Sequence, residues 1–217
     1  MAGSQNVASG AAGETGDVAG LAALIARAAG DLGRAGDGSP RALPPVERWN
    51  PPFCGDLDME IRADGTWTYL GTTIDRQPLV RLFSTVLRRD EDGRTYLVTP
   101  AEKVGIRVAD AHFIAVEVTR TGRAGEPVLT FRTQLGDVVE AGPDHPLRFT
   151  VEGPQAQLKP YLLVRGRLEA LVSRAVAYDL AEWFETVEID GRAMIALRSA
   201  GAVFPVMPAS DLAADGG

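Results

Sequence analysis

Hydrophobic and polar positions change their period several times along this chain, and each change predicts an element. Leu57-Asp58-Met59-Glu60-Ile61 alternates apolar with polar, the period of a half-buried strand. Asp64-Gly65 then supplies a tight-turn signal, and Thr66-Trp67-Thr68-Tyr69-Leu70 returns as a second strand. Between residues 75 and 89 the period becomes helical. Leu79, Val80, Leu82, Phe83, Val86 and Leu87 make one wide apolar stripe, opposite Arg81, Ser84, Arg88 and Arg89. Asp75 is a candidate cap, and Pro78 falls in the first turn, where a missing N–H costs little. Burying six such side chains stabilises by roughly 10 kcal/mol before entropy is counted. That equals the net stability of a whole domain, so this helix is predicted to be a core element.

Strand-like stretches follow at 95–99, 104–108, 113–120, 128–133, 137–140, 147–151 and 161–164, with a loop at 121–125. A second helix is predicted over 167–183, where Leu168, Leu171, Val172, Ala175, Val176 and Leu180 keep helical spacing. A hairpin turned at Asp190-Gly191 and a last strand at 202–206 complete the pattern. The chain thus reads as α+β: two related units at 41–115 and 116–208, each a bent, mostly antiparallel sheet packed by one amphipathic helix.

The flanks differ. Residues 1–40 are rich in Ala and Gly and predict a disordered tail, then a short helix capped by Asp17 with Leu21, Leu24, Ile25 and Ala28 on one face. Pro44, Pro45, Pro51 and Pro52 predict an extended entry anchored by Trp49 and Phe53, and 209–217 a loose tail. A shift of 98 positions lays Asp92-Gly93-Arg94 on Asp190-Gly191-Arg192, Leu82 on Leu180 and Val108 on Val206. It suggests that the two units meet near 110–125 and correspond through these turns.

Composition narrows the function. The 217 residues are 45% hydrophobic and 24% charged, an ordinary globular balance. One cysteine, Cys54, can form no internal disulfide, and two histidines, His112 and His145, cannot make a multi-histidine metal site. A reducing cytoplasm is the expected setting. A net charge of −7 argues against a nucleic-acid partner. The apolar run 18–29 is too short for a membrane span and is interrupted by Gly20 and Arg27. No cofactor fingerprint is present, so no cofactor is expected.

Three groups of residues carry candidate chemistry. Arg165, Arg167, Arg174 and Tyr178 can form an anion site, with Arg174 and Tyr178 sharing a helix face at i, i+4. The competing reading is internal pairing, Arg165 with Glu169. Glu102 and Lys103 follow a strand, where loops often bind ligands, or form an exposed pair of little weight. Asp56 and Asp58 can reach one cation from a loop, but point together into solvent from a strand.

The sequence also resembles a bacterial family, domain-of-unknown-function family 1285. The residues that carry this are Trp49-Asn50-Pro51-Pro52-Phe53-Cys54-Gly55-Asp56-Leu57-Asp58-Met59, Asp64-Gly65-Thr66-Trp67, and the run from Leu82 through Ser84-Thr85 to Arg88-Arg89-Asp90. Tyr96-Leu97-Val98-Thr99-Pro100 with Glu102, Val164-Arg165-Gly166-Arg167-Leu168-Glu169-Ala170, Arg174-Ala175-Val176 and Tyr178-Asp179-Leu180 extend it over residues 45–207. The resemblance implies two related α/β units, in part pleckstrin-like, and no assigned catalytic residue. A signalling role is suggested for such proteins by fold likeness, a poor guide to function.

Two functions are carried forward. One is a non-enzymatic binding or regulatory module for a protein or a small anionic ligand, with a homodimer as a further possibility. The other is an enzyme with a carboxylate site built on Asp56, Asp58 or Glu102.

Overall fold

The structure is a computed structural model, and it describes residues 43–123, 125–152 and 157–214. The helix expected near residue 17 lies outside them. Among the described residues no helix is long and apolar enough to cross a membrane.

The first sheet is built from β1 (Phe53–Ile61), β2 (Trp67–Tyr69), β3 (Thr72–Thr73), β4 (Leu87–Arg89), β5 (Thr95–Val98) and β6 (Lys103–Val108) in the order β3-β2-β1-β6-β5-β4. All neighbours are antiparallel except β1 and β6, which run parallel. The second comprises β7 (Phe113–Arg123), β8 (Glu126–Thr133), β9 (Val138–Glu140), β10 (Leu147–Glu152), β11 (Gln157–Arg165) and β12 (Leu168–Val172), ordered β10-β11-β12-β7-β8-β9. Its one parallel pair is β12 with β7. In both, two three-stranded meanders join through their first and last strands. The chain is α+β with two related units.

The correspondence is not the one suggested by the shift of 98. Strand for strand, β1 to β6 answer to β7 to β12. The turn at Asp190-Gly191 belongs instead to a third sheet, β13 (Glu185–Ile189), β14 (Arg192–Ser199) and β15 (Ala202–Pro208). Asp-Gly turns recur wherever hairpins do, so their spacing carried no information about the repeat. The third sheet packs on β8 and β10. Its lock is Ser199, fully buried, whose hydroxyl donates to the Ala141 carbonyl at 2.6 Å and accepts from the Leu129 N–H at 2.8 Å.

In each large sheet the chain must cross from one edge to the other. In the first unit α1 (Gln77–Thr85) makes the crossing and buries Val80 and Phe83. Phe83 stacks on Trp67 with ring centroids 6.1 Å apart. In the second unit residues 141–146 do it alone, and Gly142 and His145 exchange hydrogen bonds of 3.1 Å that fold this segment back on itself. A flat six-stranded sheet is about 24 Å wide, beyond the reach of so short a folded segment. The second sheet must therefore curl until its edges approach. Its helix, α2 (Arg174–Ala181), comes after β12 and packs against β7. One apolar cluster runs from Val46 through Phe83 and Phe113 to Phe204, so the units share a core.

Both predicted helices are shorter than their hydrophobic period suggested. Asp75 does not cap α1; Arg76 holds that place without a side-chain bond. The helix ends at Thr85 because the Ser84 and Thr85 hydroxyls donate back to the carbonyls of Arg81 and Leu82, at 2.9 and 2.7 Å, and compete with the helical ladder. Val86 and Leu87 are still buried, but at the entry to β4. Arg88, placed on the polar face by helical spacing, is buried instead. It donates to the carbonyls of Val46 and Trp49 and to Asp90, and so pins the proline-rich entry. That entry holds a 3-10 turn at Val46–Arg48. Trp49 packs on the core, while Phe53 is half exposed, edge-on to Tyr96. In the second unit Leu168 to Val172 alternates as a strand, and the helix begins only at Ser173, whose hydroxyl accepts the Val176 N–H. Strand and helix are indistinguishable for so short an apolar run. The expected loop at 121–125 is mostly β7, and part of the expected C-terminal tail is a short helix, α3 (Ala209–Ala214).

Candidate functional site

The four residues of the predicted anion site divide into two pairs. Arg165 and Arg167 flank the β11–β12 turn at Gly166, whereas Arg174 and Tyr178 lie on α2, beyond the other end of β12. About 20 Å of strand separates the pairs. The helix expected to unite them is half strand, so the geometry that joined them does not exist.

Arg165 is built into the seam between the units. Its guanidinium pairs with Asp137, donates to the Ser84 carbonyl at 2.8 Å and lies 4.7 Å from the Phe113 ring centroid. Its expected partner, Glu169, is taken by Arg148, because residues 165 and 169 sit on opposite sides of a hairpin turn and not on one helix face. Arg167 pairs with the exposed Glu91 at 2.9 Å. Lys103 bonds Asp90 at 2.9 Å and lies over the Tyr96 ring, while the Glu102 backbone closes a turn with Thr99. Asp56 and Asp58 are exposed on β1, as their strand period requires, and pair with Arg94 and Arg107. Among the described residues no cluster of His, Cys, Asp and Glu could hold a metal ion. Cys54 is exposed, with its thiol toward the Pro52 carbonyl.

Arg174 differs from all of these. Among the described residues no carboxylate pairs with it; its Nε and Nη2 both donate to the Tyr178 hydroxyl, at 3.3 and 3.2 Å. It lines a groove of about 620 Å³ between α2, the start of β11, the end of β12 and the β1–β2 turn. Leu158, Leu171, Ile114 and Ala177 form the apolar wall, with Val172 behind them in the core. Lys159 is also there but already committed, bonding Asp110 at 2.9 Å and Glu152 at 2.8 Å, which together raise its pKa. Asp110 also accepts the Tyr161 hydroxyl at 2.7 Å. Burial favours its protonated form, but the bonds from Lys159 and Tyr161 outweigh that and keep its pKa low. Burial and this hydrogen bond push Tyr161 up to about 12. On the far wall Asp64 accepts the Thr66 N–H, which keeps it ionised.

Beside the groove, His112 bridges the two large sheets. The Glu169 N–H donates to its Nδ1 at 3.2 Å, so Nε2 carries the proton and donates to Thr95 Oγ1 at 3.0 Å. Burial, aided by the nearby Arg89 charge, pushes its pKa down to about 4. A smaller cavity of about 310 Å³ lies across the Asp64-Gly65 turn, lined in part by Trp67 and Gln134. The Trp67 indole N–H and the Gln134 amide nitrogen find no acceptor among the described residues.

Sequence reading found Arg174 and Tyr178 but missed Leu158, Lys159, Leu171 and Asp64. The signal was there in part: 157–159 alternates polar and apolar, but the predicted strand begins only at 161, after Pro160, whereas the strand starts at Gln157.

A family model described as the N-terminal domain of a domain of unknown function, DUF1285, matches residues 44–111, and the C-terminal domain model of DUF1285 matches 112–206. The chain is 46% identical to a DUF1285 family protein from Silicibacter pomeroyi DSS-3 whose structure has been solved. The match covers 81% of this chain and 93% of that one, with a TM-score of 0.73. A second solved DUF1285 family protein, from Shewanella baltica OS155, is 26% identical over 58% of this chain and 91% of its own, with a TM-score of 0.46. No curated protein matches the sequence. With both domain models accounting for nearly all of the described chain, the protein belongs to the DUF1285 family.

Proposed function

We propose that the chain is a non-enzymatic binding module that holds a small anionic ligand in the groove at Arg174. The observation behind this is the state of that guanidinium. Exposed on α2, it stands on the wall of a groove of ligand size, and among the described residues its polar and ring contacts are all with Tyr178, through the hydroxyl and the ring. Leu158, Leu171 and Ile114 beside it give the body of a ligand apolar surface to cover. Lys159 adds no free charge, because Asp110 and Glu152 neutralise it.

The enzyme reading gains nothing from its named residues. Asp56 and Asp58 are each tied to an arginine on an exposed sheet face, and neither they nor Glu102 line the groove. His112 has both ring nitrogens engaged and does not line the groove.

The test is a thermal-shift survey of the full chain with small anions, run on wild type and Arg174→Ala. A ligand at a hundred times its Kd stabilises by about 2.7 kcal/mol, a shift of several degrees. Stabilisation of wild type and not of Arg174→Ala supports the site. Equal behaviour of the two proteins with every anion overturns it.

A further inference from the structure

We infer that the groove's ligand is a soluble monocarboxylate with an apolar body, and that Tyr178 marks its place. This rests on the binding role proposed above and names its chemistry. Nε and Nη2 form one edge of the Arg174 guanidinium, and both point at a single phenolic oxygen. Their lengths, 3.3 and 3.2 Å, are those of two weak bonds sharing one acceptor. A carboxylate brings two oxygens to that edge and makes two parallel charge-assisted bonds of about 2.8 Å. Tyr178 is 62% exposed, so it can swing aside at little cost, and its hydroxyl can then donate to the incoming group.

Charge selects the head group. Arg174 supplies one positive charge not already matched by a carboxylate, and Asp64 on the opposite wall is ionised. One carboxylate neutralises Arg174. A phosphate near its second ionisation brings more negative charge than the groove can balance. The body is selected by Leu158, Leu171, Ile114 and Ala177, which offer apolar surface and no hydrogen-bonding side chain. Each methylene buried there should tighten binding about threefold to fourfold.

The experiment is isothermal titration of the full chain with hexanoate, octanoate and decanoate, with octanol and octyl phosphate as controls. Wild type, Arg174→Ala and Arg174→Lys are compared after circular dichroism shows all three folded. Lysine keeps the charge and loses the fork, so it separates bidentate recognition from simple attraction. The expected result is a Kd that falls with chain length, weakens at least tenfold in Arg174→Ala and several-fold in Arg174→Lys, with octanol binding the same in all three. Octyl phosphate binding as tightly as octanoate, or carboxylates binding equally to all three proteins, overturns the carboxylate assignment and leaves an apolar groove. Failure of every compound to bind, while another anion shifts wild type alone in the thermal survey, overturns the ligand class and spares the binding site.

Discussion

Arg165 and Arg174 share a residue type and a stretch of sequence, but their surroundings are opposite. Arg165 is four-fifths buried and meets a carboxylate, a carbonyl and an aromatic face, each from a different element. Arg174 is exposed and meets one hydroxyl from its own helix. The first has its bonding capacity used by the fold and serves stability. The second has it largely unspent and is available to a ligand. What separates the two arginines is the completeness of their partner sets, which no local sequence motif encodes.

The largest test of this contrast is Arg165→Ala. It leaves Asp137 partly buried without its cation and removes the donor to the Ser84 carbonyl at the end of α1. Removing one member of such a pair should cost about 2–4 kcal/mol. Urea unfolding of the full chain measures it, and a loss below about 1 kcal/mol would mean that the seam does not depend on this contact.

The seam should also respond to acid. His112 has a pKa near 6.5 when unfolded and about 4 when folded. Between those values the unfolded chain binds the proton and the folded chain refuses it, so acid favours unfolding. The contribution is complete above pH 6.5 and is lost as pH falls toward 4, at most about 3 kcal/mol in all. His112→Gln should flatten that part of the stability profile. An unchanged slope between pH 6.5 and 4.5 would show that the imidazole is accessible to protons in the folded state.

Much of this architecture was legible because alternation is read directly from side-chain chemistry. The β1–β2 hairpin and the strands from β5 to β8 follow from it. The helix ends were not legible, since Ser84 and Thr85 act through hydroxyl bonds to carbonyls that hydropathy ignores. Nor was the β12–α2 junction: Leu168, Leu171 and Val172 satisfy both periods, and only the Ser173 cap decides between them. Arg174 with Tyr178 was legible because i, i+4 spacing is local. The rest of the groove needed the β1–β2 turn of the first sheet brought against β7, β11 and β12 of the second, a long-range arrangement that a period of two cannot specify.

A smaller effect is expected at Gly65, where seam and groove adjoin. Its φ of +81° suits glycine, and a Cβ there would lie 2.7 Å from Ile114 Cγ1. Gly65→Ala should cost about 1–3 kcal/mol, from backbone strain and displacement of Ile114. Because Ile114 also lines the groove, the same variant should weaken ligand binding, which makes it a probe of how firmly the two regions are coupled.

The smallest expected effects sharpen the comparison most. Arg167→Ala breaks an exposed pair with Glu91, and Arg174→Ala removes a guanidinium that touches only Tyr178. Exposed contacts of this kind contribute little, so both variants should unfold within about 0.5 kcal/mol of wild type. They should then part company: Arg167→Ala retains ligand binding and Arg174→Ala loses it. Two arginines equally dispensable to the fold, one of them required for binding, would show that the groove is a functional feature. If Arg174→Ala destabilised the chain as much as Arg165→Ala, its contact with Tyr178 would have to count as structure, and the distinction between the two regions would fail.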